Sequence, residues 1–165
     1  MESEIYKESY FQEYILLQSD SEQNYSDLQK LLDENNIYLG ITWTKNPEKT
    51  LERFLTQLQR VKSVIVDIDS SFQNPQDVIV NTPIYNLMRR ISGLKQSQTQ
   101  YQRIPVLIGT TQLPMAIKMR YISKAENGLF DGTIELPFKR ETIRQYLDVL
   151  RTKYSSSSDR LKVAN

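Results

Sequence analysis

The sequence predicts a doubly wound α/β domain: a five-stranded parallel sheet with helices on both faces. Three observations carry that expectation. Short β-branched runs recur along the chain, amphipathic stretches with helical spacing separate them, and each run ends in turn-forming residues. Strands alternating with helices imply a parallel sheet, and right-handed crossovers leave few ways to wind it. The clearest run is Val61–Asp67, whose Val64-Ile65-Val66 core has no helical period and stops at a carboxylate. Such a run reads as a central strand buried on both faces. Open α/β sheets place their sites at the carboxyl ends of strands, so Asp67 is expected to face a crevice there. A strand-ending aspartate is also ordinary turn chemistry, and that reading stands beside the first.

In chain order, residues 1–13 are acidic and aromatic, with Tyr6, Tyr10 and Phe11 near helical spacing, and read as an N-terminal arm or a short helix. Tyr14–Gln18 is the first strand. Ser19 and Glu22 have capping-box spacing, and Tyr25, Leu28, Leu31 and Leu32 mark one buried helical face. Residues 37–43 form the second strand, β-branched and aromatic in composition. Asn46-Pro47-Glu48 supplies an N-cap, a first-turn proline and an early acid for a helix burying Leu51, Phe54, Leu55 and Leu58.

Residues 70–82 form a long polar connection with an irregular insertion expected around Val78-Ile79-Val80. Pro83–Ser92 reads as the third helix, stopped by Gly93, and 95–103 as a flexible glutamine-rich loop. The fourth strand, 104–109, opens on a proline and leads to Thr110. Residues 114–124 are the fourth helix, Asn127-Gly128 a turn and 132–136 the last strand. Residues 139–153 are the final helix, with Ile143, Tyr146, Leu147 and Leu150 inward. The division is therefore an arm (1–13), one domain (14–153) and a serine-rich, disordered tail (154–165).

Composition narrows the function. The chain has 165 residues, 21 basic and 20 acidic side chains and a net charge of +1, which argues against nucleic-acid binding. It has neither cysteine nor histidine, which removes thiolate metal sites, the usual triad base and the commonest metal ligand. No apolar run is long enough to span a membrane, and the N-terminus is not a signal peptide. The expectation is a cytoplasmic protein that is not an enzyme.

From Tyr14 to Lys153 the pattern resembles the receiver domain of two-component response regulators. The resemblance rests on Val64-Ile65-Val66-Asp67, on Ile104–Thr110 and on Leu136-Pro137-Phe138, in that order and spacing. It implies a flavodoxin-like sheet in the order 2-1-3-4-5 with five flanking helices. It makes Asp67 the phosphoacceptor, Thr110 the switch hydroxyl, and Asp20 with Asp67 the metal ligands for Mg2+. It also implies a cis Leu136–Pro137 bond. Asp20 and Thr110 each have a helix-capping reading as well, and the side chain of Asp69 is read as incidental, because the family uses a backbone carbonyl there.

Three positions depart from the family pattern. Ser19 stands where a second acid is usual, which weakens a site for a hard cation. The family's lysine position holds Leu136, with Glu135 as an alternative occupant if the segment is one residue longer. Lys139 points along the final helix, and Thr133 or Gly132 replaces the aromatic switch residue.

The expected function is a receiver-like protein–protein interaction module without standard phosphorylation dependence. A working phosphoacceptor using Asp67 with a reduced magnesium site is the second reading, with a histidine kinase or phosphotransfer protein as partner. A nucleotide- or flavin-binding flavodoxin-like domain is the third, although 18–21 form no glycine-rich phosphate loop. Partner contact or a homodimer is expected through helix 114–124, the last strand and the last helix.

Overall fold

The computed structural model describes residues 5–69 and 82–154. Of the expected connection 70–82 and tail 154–165, residues 70–81 and 155–165 lie outside these, while Thr82 caps the helix that starts at Pro83 and Tyr154 ends the last helix instead of opening a tail. Among the described residues the sheet has six strands. β1 is Ile5–Lys7, β2 Tyr14–Gln18, β3 Gly40–Thr44, β4 Val61–Asp67, β5 Val106–Thr110 and β6 Gly132–Glu135. The order is β1-β3-β2-β4-β5-β6, parallel throughout except for β1. Its five parallel strands have the flavodoxin-like order 2-1-3-4-5. The added antiparallel strand comes from the segment expected to be an arm or a helix. Its aromatics mimic helical spacing, yet the backbone hydrogen-bonding capacity of the exposed β3 edge recruits it instead.

The helices are α1 (Glu22–Glu34), α2 (Pro47–Thr56), α3 (Pro83–Ser97), α4 (Leu113–Ala125) and α5 (Arg144–Tyr154). One core layer joins Tyr14, Leu16, Val64 and Val66 to Phe54 of α2, Ile84 and Met88 of α3, and Met115 and Met119 of α4. The other joins Ile15, Leu17 and Ile65 to Leu28 and Leu32 of α1 and Leu147 and Leu150 of α5. Alternate residues of β2 and β4 thus feed opposite layers, as a strand covered on both faces requires.

Several boundaries differ from the sequence expectation for identifiable reasons. Ser21, not Ser19, caps α1, its hydroxyl accepting from Asn24 N. Gly93 does not stop α3, which continues to Ser97. A single glycine weakens a helix by about 1 kcal/mol, too little to end one held by packing. The expected loop 95–103 continues that helix and then forms a 3-10 turn at Thr99–Tyr101. Tyr101 is buried there, stacked on Phe54 with ring centroids 5.2 Å apart. Leu55, expected inside, is 38% exposed on the outer flank of α2. Asn127 and Gly128 turn the chain with φ of 61° and 98°.

Candidate functional site

The carboxyl edge of the sheet brings the predicted residues together. Asp67 ends β4 and Thr110 ends β5, side by side because Asp67 pairs in register with Gly109. Asp20 follows β2 and is exposed. A cleft of about 360 Å3 runs between Asp20, Asn24, Asp67, Asp69, Thr111 and Leu136.

Asp67 is 4% exposed, and each of its carboxylate oxygens has a donor. Oδ2 accepts from Ser19 Oγ at 2.7 Å and from Asn24 Nδ2 at 3.0 Å. Oδ1 accepts from the backbone N–H of Asp69 at 2.9 Å. Burial pushes its pKa above the ordinary carboxylate range, and the charges of Asp69 and Asp20 push the same way. The bonds from Ser19 and Asp69 N–H oppose that shift without cancelling it.

Ser19 is itself held firmly. Its N–H donates to Thr44 O at 3.0 Å and its carbonyl accepts from Trp43 Nε1 at 2.8 Å. Trp43 stacks on Tyr25 of α1, with centroids 5.6 Å apart. Asn24 Nδ2 also reaches Ser19 Oγ at 3.1 Å, so the first turn of α1, β3 and the end of β4 share one buried polar network. Sequence reasoning singles out neither Ser19 nor Asn24 as a partner of Asp67. A polar residue on the otherwise apolar inner face of α1 is the available signal.

Asp69 is not incidental. Its Oδ1 accepts from Thr110 Oγ1 at 2.5 Å and its Oδ2 from Thr111 N–H at 2.9 Å. Thr110 Oγ1 in turn accepts from Gln112 N at 3.1 Å. The candidate switch hydroxyl is therefore turned toward Asp69 and the start of α4, with Asp67 bonded elsewhere.

Leu136 is buried and lines the cleft, whereas Glu135 is exposed and does not. A Cβ on Gly109 would lie 3.1 Å from the Leu136 methyl and γ carbons, so the leucine sits directly on the β5 backbone. The Leu136–Pro137 peptide bond is cis. The wall of the cleft that faces the acids is thus apolar. Lys139 is exposed and bonds through its backbone to Thr142, away from the cleft lining.

Among the described residues, no three Asp, Glu, His or Cys side chains are grouped so as to hold a metal ion. Asp67 and Asp69 already have donors, and Asp20 reaches the cleft from its solvent side.

The fold resembles that of response-regulator receiver domains. A receiver domain protein from Clostridium thermocellum is 13% identical with a TM-score of 0.53, the match covering 86% of this chain and 95% of that one. A response regulator in red light signaling of R. palustris is 17% identical, with a TM-score of 0.51 over 86% of this chain and 90% of that one. A putative pilus assembly protein (cpaE) from Burkholderia thailandensis is 13% identical, with a TM-score of 0.57 over 85% and 98%. The sequence matches no protein-family model and no curated protein. At these identities the likeness is one of fold. No described helix is long and apolar enough to cross a membrane.

Proposed function

We propose that the domain is a receiver-like interaction module whose output does not depend on phosphorylation of Asp67. The observation that supports this most is the engaged state of the Asp67 carboxylate. Both oxygens already have donors, so a phosphoryl group on Asp67 would have to be accommodated beside a buried hydrogen-bond network. The added negative charge would also meet Asp69, Asp20 and the apolar Leu136 wall, with no cation among the described side chains that line the cleft. Magnesium binding is expected to be weak for the same reason, since Asp20 is the one acid of the cleft without a described donor.

The partner surface is proposed to be α4 with β6 and α5. Leu113, Ile117 and Tyr121 are 67%, 43% and 74% exposed and fall four residues apart, forming one apolar stripe on α4. Met115 and Met119 of the same helix are core residues. Strand β1 occupies the far edge of the sheet, beside β3, and so leaves this face uncovered by residues 5–7. A signalling protein or a second copy of the chain fits the stripe.

The test is to treat the protein with acetyl phosphate and magnesium and weigh it. No mass gain is expected. A gain of one phosphoryl group, absent from Asp67→Asn, would instead make this a working phosphoacceptor, with a histidine kinase or phosphotransfer protein as its natural donor.

A further inference from the structure

A second cavity lies away from the acidic cleft. It is a groove of about 750 Å3 at the opposite, amino-terminal edge of the sheet, between the starts of β4 and β5 and the last turns of α5. Its volume lies within the roughly 300–1,000 Å3 typical of small-molecule sites. Neither the proposed interaction stripe nor the Asp67 network touches it.

The groove exists because the helical layer under-covers this corner of the sheet. β4 presents Ser63 toward α5, where neighbouring positions present Ile65 and Leu107, and the small side chain leaves space below Tyr146. The walls are apolar, contributed by Val61, Ile104, Pro105 and Leu150. Two polar side chains, Ser63 and Tyr146, are among the lining residues. Ser63 Oγ makes only a long contact to Pro105 O, at 3.5 Å. The Tyr146 hydroxyl is fully buried and has no hydrogen-bond partner among the described residues. Ser63 lies near enough to influence the phenol, but the pair lacks hydrogen-bond geometry. Because the hydroxyl is sealed from solvent, the groove meets the ring of Tyr146 and not its oxygen.

The rim has one sign of charge. Lys62, Arg103 and Lys153 are the charged residues lining the groove, and no described acid lines it. Lys62 pairs with Glu13 at 3.3 Å. Arg103 and Lys153 are exposed and form no ion pair with another described residue.

We infer that this groove binds a small amphipathic anion, an apolar chain or ring carrying a carboxylate or sulfonate. The apolar body lies along Leu107, Ile104 and Leu150, and the anionic head meets Arg103 and Lys153. An apolar neutral molecule leaves both cations unused, and a strongly acidic polar ligand gains nothing from the walls. The combination selects for both parts at once.

The probe is anilinonaphthalene sulfonate, titrated into the full-length protein and followed by its fluorescence. Laurate serves as anionic competitor and dodecanol as the neutral one of equal length. Saturable binding of one dye per chain is expected, with laurate displacing it at roughly tenfold lower concentration than dodecanol. Arg103→Glu with Lys153→Glu is expected to weaken dye binding by about tenfold while the near-UV circular dichroism is unchanged. The inference is overturned by the absence of saturable binding, by equal displacement with laurate and dodecanol, or by wild-type affinity in the charge-reversed variant. A dimer that the charge reversal dissociates, with no dye bound, would assign the groove to a second copy and overturns it equally.

Discussion

At the scale of single residues, Asp67 is a carboxylate held by neutral donors in a buried place. Its folded pKa is raised, chiefly by desolvation, so the folded state binds the proton more tightly than the unfolded chain does. Stability attributable to this group is therefore greatest below the unfolded carboxylate pKa. It falls as pH rises from there to the folded value, and the penalty is complete above it. Asp67→Asn removes that penalty. The substituted amide can still accept from Asp69 N–H through its carbonyl oxygen, while Ser19 and a flipped Asn24 amide accept from its amino group. The melting temperature should be unchanged or up to about 3 °C higher at neutral pH, with no gain near pH 3. A loss of several degrees at pH 7 would show that the network needs the carboxylate itself. Ser19→Ala tests the same network from the other side. It removes the 2.7 Å donor from a buried ionised acceptor and should cost about 1–2 kcal/mol in urea unfolding at pH 7. Part of that cost should vanish in acid, where Asp67 is protonated.

At the scale of elements, α3 and the turn after it separate local signals from tertiary ones. Gly93 has no atom within 4 Å of a built Cβ and sits in ordinary helical backbone. Gly93→Ala should then stabilise the protein by about 0.5–1 kcal/mol, seen as a higher urea midpoint at constant slope. Destabilisation would mean that the glycine serves a contact outside the described residues. Gly40 is the contrary case. A Cβ there would lie 1.8 Å from Ser9 Oγ and 3.0 Å from Phe11 Cβ, so Gly40→Ala should lift residues 8–12 away from β3. Faster cleavage of the amino-terminal segment by a nonspecific protease is the expected readout, and an unchanged digestion rate would count against it. The contrast explains what is legible in the sequence. Strands β2 and β4 have apolar cores, Tyr14–Leu17 and Val64–Val66, and Asn46-Pro47 fixes the start of α2 locally, so both are readable. Tyr101 is buried only because Phe54, distant in the chain, waits in the same layer, and β1 forms only because β3 offers an edge. No local pattern encodes either event. The site divides in the same way. The positions of Asp67, Thr110 and Leu136 follow from strand ends, whereas Ser19 and Asn24 become partners of Asp67 only through the packing of α1 against the sheet.

At the scale of the whole molecule, the two ends of the sheet and its α4 side carry separable properties. In a switching receiver, chemistry at the acidic cleft is felt at the α4 face because one element has two arrangements that both sites bias. Here the connection from β5 to α4 is held through Asp69. Asp69 holds Thr110 Oγ1 and Thr111 N–H together, and Thr110 Oγ1 holds Gln112 N–H at the start of α4. On the proposed reading, Asp69 keeps that tie whether or not the Asp67 carboxylate, which accepts from Asp69 N–H, is occupied. Association through α4 is thus expected to be indifferent to the cleft and sensitive to the stripe. The comparison is by sedimentation equilibrium for self-association, or by titration once a partner is in hand. Asp67→Asn, with or without acetyl phosphate and magnesium, should leave the association constant within about twofold of wild type. Ile117→Asp with Tyr121→Asp should weaken it by a factor of about 100 or more, on the order of 3 kcal/mol, because two exposed apolar contacts become desolvated charges. Both side chains point outward, so the double variant should keep the wild-type melting temperature to within a few degrees. Association that responds to Asp67→Asn as strongly as to the stripe would mean that the cleft and α4 are coupled after all. The reading of the domain as a module set in one conformation would then have to be abandoned.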